Sequence, residues 1–408
     1  MRLVSIEKKP NKLLVNIIKF SIRKFINTRT KIIIEQDDTV DLKGPYLILS
    51  NHVNNWDPLF INLIVKEPIC FIAGDSLFRI PILKSILYYF GAIPKMKSTN
   101  DTRTIRSMIK AKKHNRIIGI FPEGNRNWDG VTEPIHLATA KLAKLLDIPV
   151  VIGTIKGGHL NQPRWGLGHR KGPIYISLTK KFDKGEFRQD KPEEILKKLT
   201  DAFVYSEMDW QSEKNIPYKG KNLANYLERL LFVCPNCKTP ENLHSHHDMF
   251  QCEHCNYTVR YTEYGNFEKV NFPLIYSTTH EWNQWQLKFM KKSLVDKQMS
   301  EVWKAVMDDH VNLKASKKGE KFRLVSSGNL TLDRENEVLA FASEKGELFL
   351  FPLHQIDGLN IHLHHMLDFF IHDTMYRLEF YQPRTSAYKW LKVIQTLLQN
   401  KDSKEGIS

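Results

Sequence analysis

A histidine and an aspartate stand five positions apart in the segment 51–57, where His52 follows an apolar run and Asp57 precedes a proline. Positions five apart lie about 140° apart on a regular helix, so these side chains can meet only across a turn. Asp57-Pro58 is typical of a helix start, with an N-cap aspartate and a proline at the first helical position. An imidazole oriented by a carboxylate is a competent general base for a hydroxyl nucleophile. The alternative is a solvated turn in which Asp57 only caps a helix.

A second motif distinguishes between these alternatives. The segment Phe-Pro-Glu-Gly-Asn-Arg, residues 121–126, follows the strand-like apolar run 117–120. With it, the chain resembles the glycerolipid acyltransferase family, which includes the lysophosphatidic acid acyltransferases. The resemblance rests on an HxxxxD block at His52 and Asp57 and an FPEGxR block at 121–126. Weaker blocks occur at 91–94 and 148–152, and the resemblance covers about residues 33–205, roughly half the chain.

The resemblance implies the transfer of a fatty acyl group from a thioester, acyl-CoA or acyl carrier protein, to a hydroxyl of a lysophospholipid. Among lysophospholipids, the acceptor that the resemblance implies first is 1-acylglycerol-3-phosphate. His52 is expected to remove the proton of the attacking hydroxyl. Asp57 is expected to hold the imidazole in the right tautomer and to stabilise the imidazolium. Because the acceptor hydroxyl attacks directly, no serine or cysteine nucleophile is needed.

The second block is expected to bind the acceptor. Arg126 offers a planar guanidinium that matches a phosphate, and Gly124 permits close backbone approach. The resemblance places Glu123 in the same acceptor site, its alternative being a carboxylate at a helix N-terminus. Lys97 stands where the family commonly has a basic residue, and Asn127 replaces a small hydroxyl residue. These departures leave the reaction type unchanged and leave a different lysophospholipid or polar acceptor open.

Alternating strand-like and helical segments surround both motifs. Such alternation predicts an α/β domain, residues 31–207, with a mainly parallel sheet flanked by helices. Both motifs then follow the carboxyl ends of strands, where such sheets bind ligands. The predicted strands are 31–35, 45–50, 68–73, 116–121, 149–155 and 173–179, and the predicted helices are 58–66, 80–90, 101–114, 134–146 and 192–206.

Two CxxC pairs lie downstream with fourteen residues between them, at Cys234, Cys237, Cys252 and Cys255. Four thiolates in two such knuckles are typical of a closed tetrahedral zinc site, so we predict a structural zinc in a ribbon spanning 231–270. A module of this size has too little core to fold alone, and metal binding would supply its stability. Metal-type cysteine spacing without an evident signal peptide favours a reducing, cytoplasmic setting.

Positive charge is concentrated at the N-terminus. The chain carries a formal net charge of +15, and residues 1–34 contain nine Lys or Arg against one acid, Glu7. Residues 11–29 show helical periodicity with a polar side and a broad apolar side. We predict an amphipathic helix within residues 1–30 at an anionic membrane surface, the inner face of the cell membrane, with packing on the protein's own core as the alternative. A nucleic-acid-binding ribbon protein is also compatible with the charge, but charge clustered on an apolar-faced helix makes nucleic acid the weaker hypothesis.

The remaining segments complete the predicted organisation. The polar stretch 208–230 is predicted to be a linker. Residues 271–400 are predicted to form a helical segment, 282–310, followed by a small α+β barrel of pleckstrin-homology or GRAM-like architecture. Several short alternating strands and one closing amphipathic helix support that barrel. The resemblance is architectural only, because no sequence motif supports it.

Overall fold

The computed structural model describes residues 6–74, 77–78, 81–95, 102–295, 303, 307–317 and 320–405. The chain divides into two compact units. The first comprises Met1–Pro163 and Gly168–Lys219, and the second comprises Arg164–Leu167 and Gly220–Ser408.

A seven-stranded sheet forms the centre of the first unit, in the order β1-β7-β6-β2-β5-β3-β4. Neighbouring strands are parallel except β6 and β7, which are antiparallel. The predicted mainly parallel sheet is therefore confirmed. The short strand β4 was not predicted. The strands are β1 Ile32–Asp37, β2 Leu47–Ser50, β3 Ile69–Gly74, β4 Ile93–Lys95, β5 Ile117–Ile120, β6 Val150–Lys156 and β7 Ile174–Phe182.

Helices cover both faces of this sheet. Alternate side chains of a strand point to opposite faces, and in β2 they enter two different apolar clusters. Leu47 and Leu49 pack with side chains of α4, α5 and α7, whereas Ile48 packs with side chains of α1 and α2. The helices are α1 Lys12–Asn27, α2 Asp57–Ile64, α3 Pro81–Phe90, α4 Thr102–Lys113, α5 Leu137–Leu146, α6 Gly158–Asn161, α7 Pro192–Phe203 and α8 Glu207–Lys214.

The segment predicted as a linker, 208–230, contains the boundary between the two units, after Lys219, but it also contains regular structure. Helix α8 occupies its beginning, and the Ser206 side chain caps that helix by accepting a hydrogen bond from the backbone N–H of Asp209. Trp210 is buried and packs edge-on against Tyr175, with ring centroids 5.4 Å apart. The polar composition misled the prediction because a few buried side chains are enough to dock a short capped helix.

The second unit contains two antiparallel sheets. A four-stranded sheet in the order β11-β10-β9-β8 is followed by α9, Thr279–Val295, and by a seven-stranded sheet in the order β15-β14-β13-β12-β18-β17-β16. The final helix is α10, Ala387–Glu405. The strands are β8 Leu243–His246, β9 Met249–Cys252, β10 Thr258–Tyr261, β11 Phe267–Lys269, β12 Asp308–Lys317, β13 Arg323–Asp333, β14 Val338–Ser343, β15 Leu348–Pro352, β16 Asp357–His362, β17 Met366–Ile371 and β18 Thr374–Phe380.

The predicted antiparallel strands and closing helix are present in this unit. Two meanders, β12–β15 and β16–β18, join where β18 pairs with β12. The helix predicted over 282–310 begins earlier, at Thr279, and Asp308 already starts a strand. Among the helices that the structure describes, none combines the length and apolar character needed to cross a bilayer.

Candidate active site

His52 and Asp57 meet across the turn between β2 and α2. The Nδ1 atom of His52 lies 2.8 Å from Oδ2 of Asp57, whose side chain is fully buried. The same oxygen accepts hydrogen bonds from the backbone N–H groups of Val53 at 2.6 Å and Asn54 at 2.9 Å. Asp57 is the first residue of α2 rather than its N-cap, and its carboxylate turns back to hold the loop and the imidazole.

Asn51 attaches this turn to the sheet. Its buried side chain donates to the carbonyl of Ile155 at 2.8 Å and accepts from the N–H of the same residue at 2.7 Å. This pair of bonds continues the pairing of β2 with β6 beyond the end of the strand, immediately before His52. Sequence reasoning missed Asn51, although a polar residue directly after a mostly apolar strand was the available signal.

The loop 121–127 encloses the backbone of His52. Glu123 accepts the His52 backbone N–H through Oε1 at 2.6 Å, and the Asn127 N–H donates to the His52 carbonyl at 2.9 Å. The Phe121 ring stacks on the imidazole with centroids 4.3 Å apart. The two motifs, 71 residues apart between His52 and Glu123, therefore form one structure.

Glu123 has a different place from the predicted acceptor contact. Its Oε2 accepts the backbone N–H of Glu133 at 2.8 Å, so both of its oxygens already hold backbone groups. The side chain is buried, and burial raises the pKa of this carboxyl well above its usual value despite the two backbone hydrogen bonds that lower it. Through these two bonds Glu123 braces the His52 turn, and its predicted contact with the acceptor stays a prediction.

Gly124 and Arg126 lie on the same loop. Gly124 is exposed and has φ +69°, a left-handed conformation that favours glycine, and no described atom lies within 4 Å of the place a Cβ would take. Burial lowers the pKa of Arg126, and the charge of Asp57 raises it, so the guanidinium lies within electrostatic reach of the dyad. Lys97, the other predicted acceptor ligand, lies outside the described residues.

Four cysteine thiols converge in the second unit. The Sγ atoms of Cys234, Cys237, Cys252 and Cys255 all lie within 4.8 Å of one another, and the Cys234–Cys255 and Cys237–Cys252 pairs are each 3.7 Å apart. Zinc–sulfur bonds of about 2.3 Å in a tetrahedron place the sulfurs about 3.8 Å apart, whereas a disulfide needs about 2.05 Å. The donor set and its spacing thus fit a tetrahedral metal ion.

The two CxxC turns have matching backbone conformations. The N–H of Lys238 donates to the Cys234 carbonyl, and the N–H of Asn256 donates to the Cys252 carbonyl. Lys238 and Asn256 both have left-handed φ values, 64° and 60°. Because the two turns share this conformation, they direct their pairs of thiols toward a common point.

The first unit is an α/β domain whose strand-end loops unite a histidine–carboxylate dyad with a half-buried arginine. Residues 31–155 match the family model described as Acyltransferase. The resemblance predicted from the blocks at His52, Asp57 and 121–126 is thereby confirmed.

Named relatives support the same family. A 1-acyl-sn-glycerol-3-phosphate acyltransferase of Borreliella burgdorferi is 33% identical over 120 residues, which are 28% of this chain and 46% of that protein. An enzyme of the same name from Limnanthes alba is 24% identical over 196 residues, 47% of this chain and 66% of the relative. The match thus spans about half the length of the first relative. The crystal structure of the 1-acyl-sn-glycerophosphate acyltransferase PlsC from Thermotoga maritima has a TM-score of 0.43 and 20% identity, and the match covers 50% of this chain and 80% of that one.

Proposed function

We propose that this protein transfers a fatty acyl group from an acyl thioester to the hydroxyl of a lysophospholipid. The observation that carries the proposal is the 2.8 Å contact between His52 Nδ1 and Asp57 Oδ2, in a turn braced by the 121–127 loop. With its Nδ1–H donated to Asp57, the imidazole has a lone pair on Nε2. That nitrogen accepts the hydroxyl proton as the acceptor oxygen attacks the thioester carbonyl. The C–S bond then breaks, and the departing thiolate takes up the proton.

The acceptor we propose is 1-acylglycerol-3-phosphate. Two relatives bear that substrate in their names, and Arg126 supplies a guanidinium matched to a phosphate beside the dyad. Gly124 leaves room at the loop for the acceptor's glycerol backbone. A different lysophospholipid or polar acceptor remains the alternative, because Asn127 departs from the family pattern. Either acyl-CoA or acyl carrier protein serves as the donor in this proposal.

Thiol release from acyl-CoA, and from acyl carrier protein, across a panel of lysophospholipids tests this function. We expect release to depend on the acceptor, to be fastest with 1-acylglycerol-3-phosphate, and to weaken when Arg126 is replaced by lysine, which lacks the bidentate fork. Equal release with neutral-headgroup acceptors would contradict the phosphate assignment. Release with no acceptor of the panel would contradict the function.

Glu123→Ala tests the brace that the structure assigns to this carboxylate. The substitution leaves the backbone N–H groups of His52 and Glu133 without their acceptor, which costs about 1–3 kcal/mol for each buried group. We expect a lower melting temperature and a lower kcat with little change in the KM for the acceptor. Glu133→Ala is the matched control, because only the backbone of Glu133 joins the brace. An increased acceptor KM with unchanged kcat and melting temperature would make Glu123 an acceptor ligand instead.

We propose that α1 lies on an anionic membrane surface, with the protein peripheral on the cytoplasmic face. Part of the apolar surface of α1 faces away from the protein, whereas Val15 and Ile26 are buried. Leu13 and Phe20 are each 71% exposed, and Ile17 is 53% exposed. Two cations of this helix instead point inward. Lys19 donates to the carbonyl of Val65 at 2.5 Å, and Arg23 donates to the carbonyl of Leu63 at 3.0 Å, at the carboxyl end of α2.

This inward orientation of Lys19 and Arg23 helps to hold α1 with Leu13, Ile17 and Phe20 exposed. Cations are favoured at the carboxyl end of a helix, where backbone carbonyls lack intrahelical partners. Burial lowers the pKa of Lys19 to about 8, with a smaller contribution from Arg23. The helix is thus attached through Lys19 and Arg23 together with the apolar Ile22 and Ile26, so one side of α1 packs on the protein's own core, as the alternative predicted, while the other side stays exposed.

Phe20→Glu is expected to weaken binding to vesicles containing phosphatidylglycerol by at least about tenfold, since a large apolar side chain contributes about 1.5–3 kcal/mol when it leaves water. Gln36→Glu, which adds the same charge at an exposed position outside α1, is the matched control. Vesicle co-sedimentation measures both variants. Equal losses in the two variants would show that only charge matters and would exclude an apolar contact.

We also propose that the four cysteines hold a structural zinc ion. A set of four thiolates leaves no coordination position for a substrate, so the ion would support folding of the 231–270 ribbon and take no part in acyl transfer. The β12–β18 sheet with α10 is proposed to be the pleckstrin-homology or GRAM-like domain within 271–400. The topology of its two meanders supports this assignment.

A further inference from the structure

An exposed apolar segment connects β11 to α9 in the second unit. Its sequence, residues 270–275, is Val-Asn-Phe-Pro-Leu-Ile, and every residue in it is exposed. The side chains of Val270, Phe272, Leu274 and Ile275 are between 36% and 46% exposed. Four large apolar groups in six residues form a contiguous surface feature of the kind that marks an interaction site.

The backbone of this segment is held in place from both ends. The Asn271 side chain accepts from the N–H of Thr258 at 3.0 Å and donates to the carbonyl of Asn256 at 2.6 Å. At the other end, the N–H of Ile275 donates to the hydroxyl of Tyr257 at 3.2 Å. The apolar side chains are therefore presented by an anchored backbone.

An open groove of about 640 Å³ separates the end of this segment from α9. Leu274 and Ile275 line one side, and Trp285 lines the other. The Trp285 ring contacts Tyr276 and Phe289, with centroids 5.7 Å and 5.5 Å away. The groove thus combines aliphatic walls with an aromatic cluster.

Unpaired positive charge borders the groove along α9. Lys288 lines it, and Lys291 and Lys292 follow three and four residues later, on neighbouring positions of the helix surface. All three are exposed, and within the described chain no carboxylate pairs with them. The one acid lining the groove, Glu281, accepts hydrogen bonds from Ser277 and Thr278 through a single oxygen.

We propose that the surface between β11 and α9, defined as residues 270–275 with Trp285, Lys288, Lys291 and Lys292, binds an anionic lipid bilayer. Aliphatic side chains on an anchored loop enter the acyl boundary, and Trp and Tyr rings favour the headgroup level. Lysines beside them attract anionic lipids. A soluble acidic partner would match the lysines alone and would leave the four apolar side chains in water. This contact is distinct from that of α1, and it does not depend on the proposed acyl transfer.

The test uses the full-length His52→Ala protein, so that no turnover occurs, with vesicles of phosphatidylcholine containing phosphatidylglycerol. We expect Leu274→Glu/Ile275→Glu to lower binding about tenfold or more. Substituting Lys288, Lys291 and Lys292 by Gln is expected to lower binding about fivefold per lysine at low salt, and not to alter it on pure phosphatidylcholine. Leu348→Glu, at another strongly exposed leucine of the same unit, is the matched control and should bind as the parent does.

Parent-level vesicle binding by both groove variants would overturn the proposal, and so would a loss in Leu348→Glu as large as in the apolar groove variant. Sedimentation velocity without vesicles tests whether a second copy of this chain covers the surface instead. A dimer of the parent that disappears in Leu274→Glu/Ile275→Glu would assign the surface to self-association instead. Bound metal and the melting temperature establish that each variant is folded. If the apolar variant does not fold, the lysine variants still test vesicle binding, because they change only exposed side chains.

Discussion

His52→Ala is expected to come close to abolishing acyl transfer. The substitution removes the group proposed to take the acceptor proton, and two carboxylates near it in the described part of the chain are not placed to replace it: Asp57 is buried behind the imidazole, and Glu123 holds backbone N–H groups. General base catalysis contributes about 10²–10⁴-fold in rate, so the loss is expected to fall in that range or beyond it. Thiol release from acyl-CoA with 1-acylglycerol-3-phosphate measures it.

Two further variants make this result specific. His114→Ala changes an exposed histidine of the same unit and should keep the parent rate. Asp57→Asn should lower kcat strongly, because an amide no longer selects the tautomer with a basic Nε2. A His52→Ala protein that is folded and retains more than about a tenth of the parent rate would show that this imidazole is not the base.

Removal of the proposed zinc ion is expected to unfold the ribbon. Structural zinc supplies roughly 10–16 kcal/mol of apparent binding free energy in small zinc modules, which is as large as the whole stability of a typical domain. The buried aromatic core of the ribbon forms only when the ribbon is folded. Trp282 is fully buried against Phe250, Tyr257 and Phe267, and its indole N–H donates to the Val233 carbonyl at 2.9 Å. We therefore expect one zinc per chain by elemental analysis, and a red shift of tryptophan emission after chelation.

Cys252→Ser is expected to reproduce the effect of chelation, with loss of bound zinc and a lower melting temperature. Cys70→Ser is the matched control, because Cys70 lies buried in the other unit and should leave the zinc content unchanged. Purified protein without metal, in which four accessible thiols react and the tryptophan emission equals that of the untreated chain, would contradict a structural zinc.

The parts of the fold that the sequence predicted are those with strong periodicity. Apolar strands such as β2 and β5 alternate with helices long enough to cover a sheet, so the mainly parallel sheet followed from pattern alone. The Cys234–Cys255 spacing placed four thiols together because short CxxC turns fix the geometry locally. In both cases the relevant contacts lie close in sequence or repeat with a regular period.

What the sequence did not predict depends on contacts between distant residues. Glu123 resembles an acceptor ligand within its motif, and only the fold shows that its two oxygens hold His52 and Glu133. Asn51 contacts Ile155, 104 residues away. Helix α8 was taken for a linker because the docking of Trp210 is invisible in a polar local composition. Likewise, periodicity identified α1 but gave no indication that Lys19 and Arg23 face inward.

The brace between Glu123 and the backbone of His52 has a consequence for how acceptor preference can change. Because the loop that carries Arg126 is hydrogen-bonded to both sides of the His52 peptide, a backbone shift in that loop also shifts the base. Selection for a new headgroup by substitution within 121–127 is therefore coupled to turnover. Variants that alter acceptor choice while sparing the rate are expected to map elsewhere in the domain.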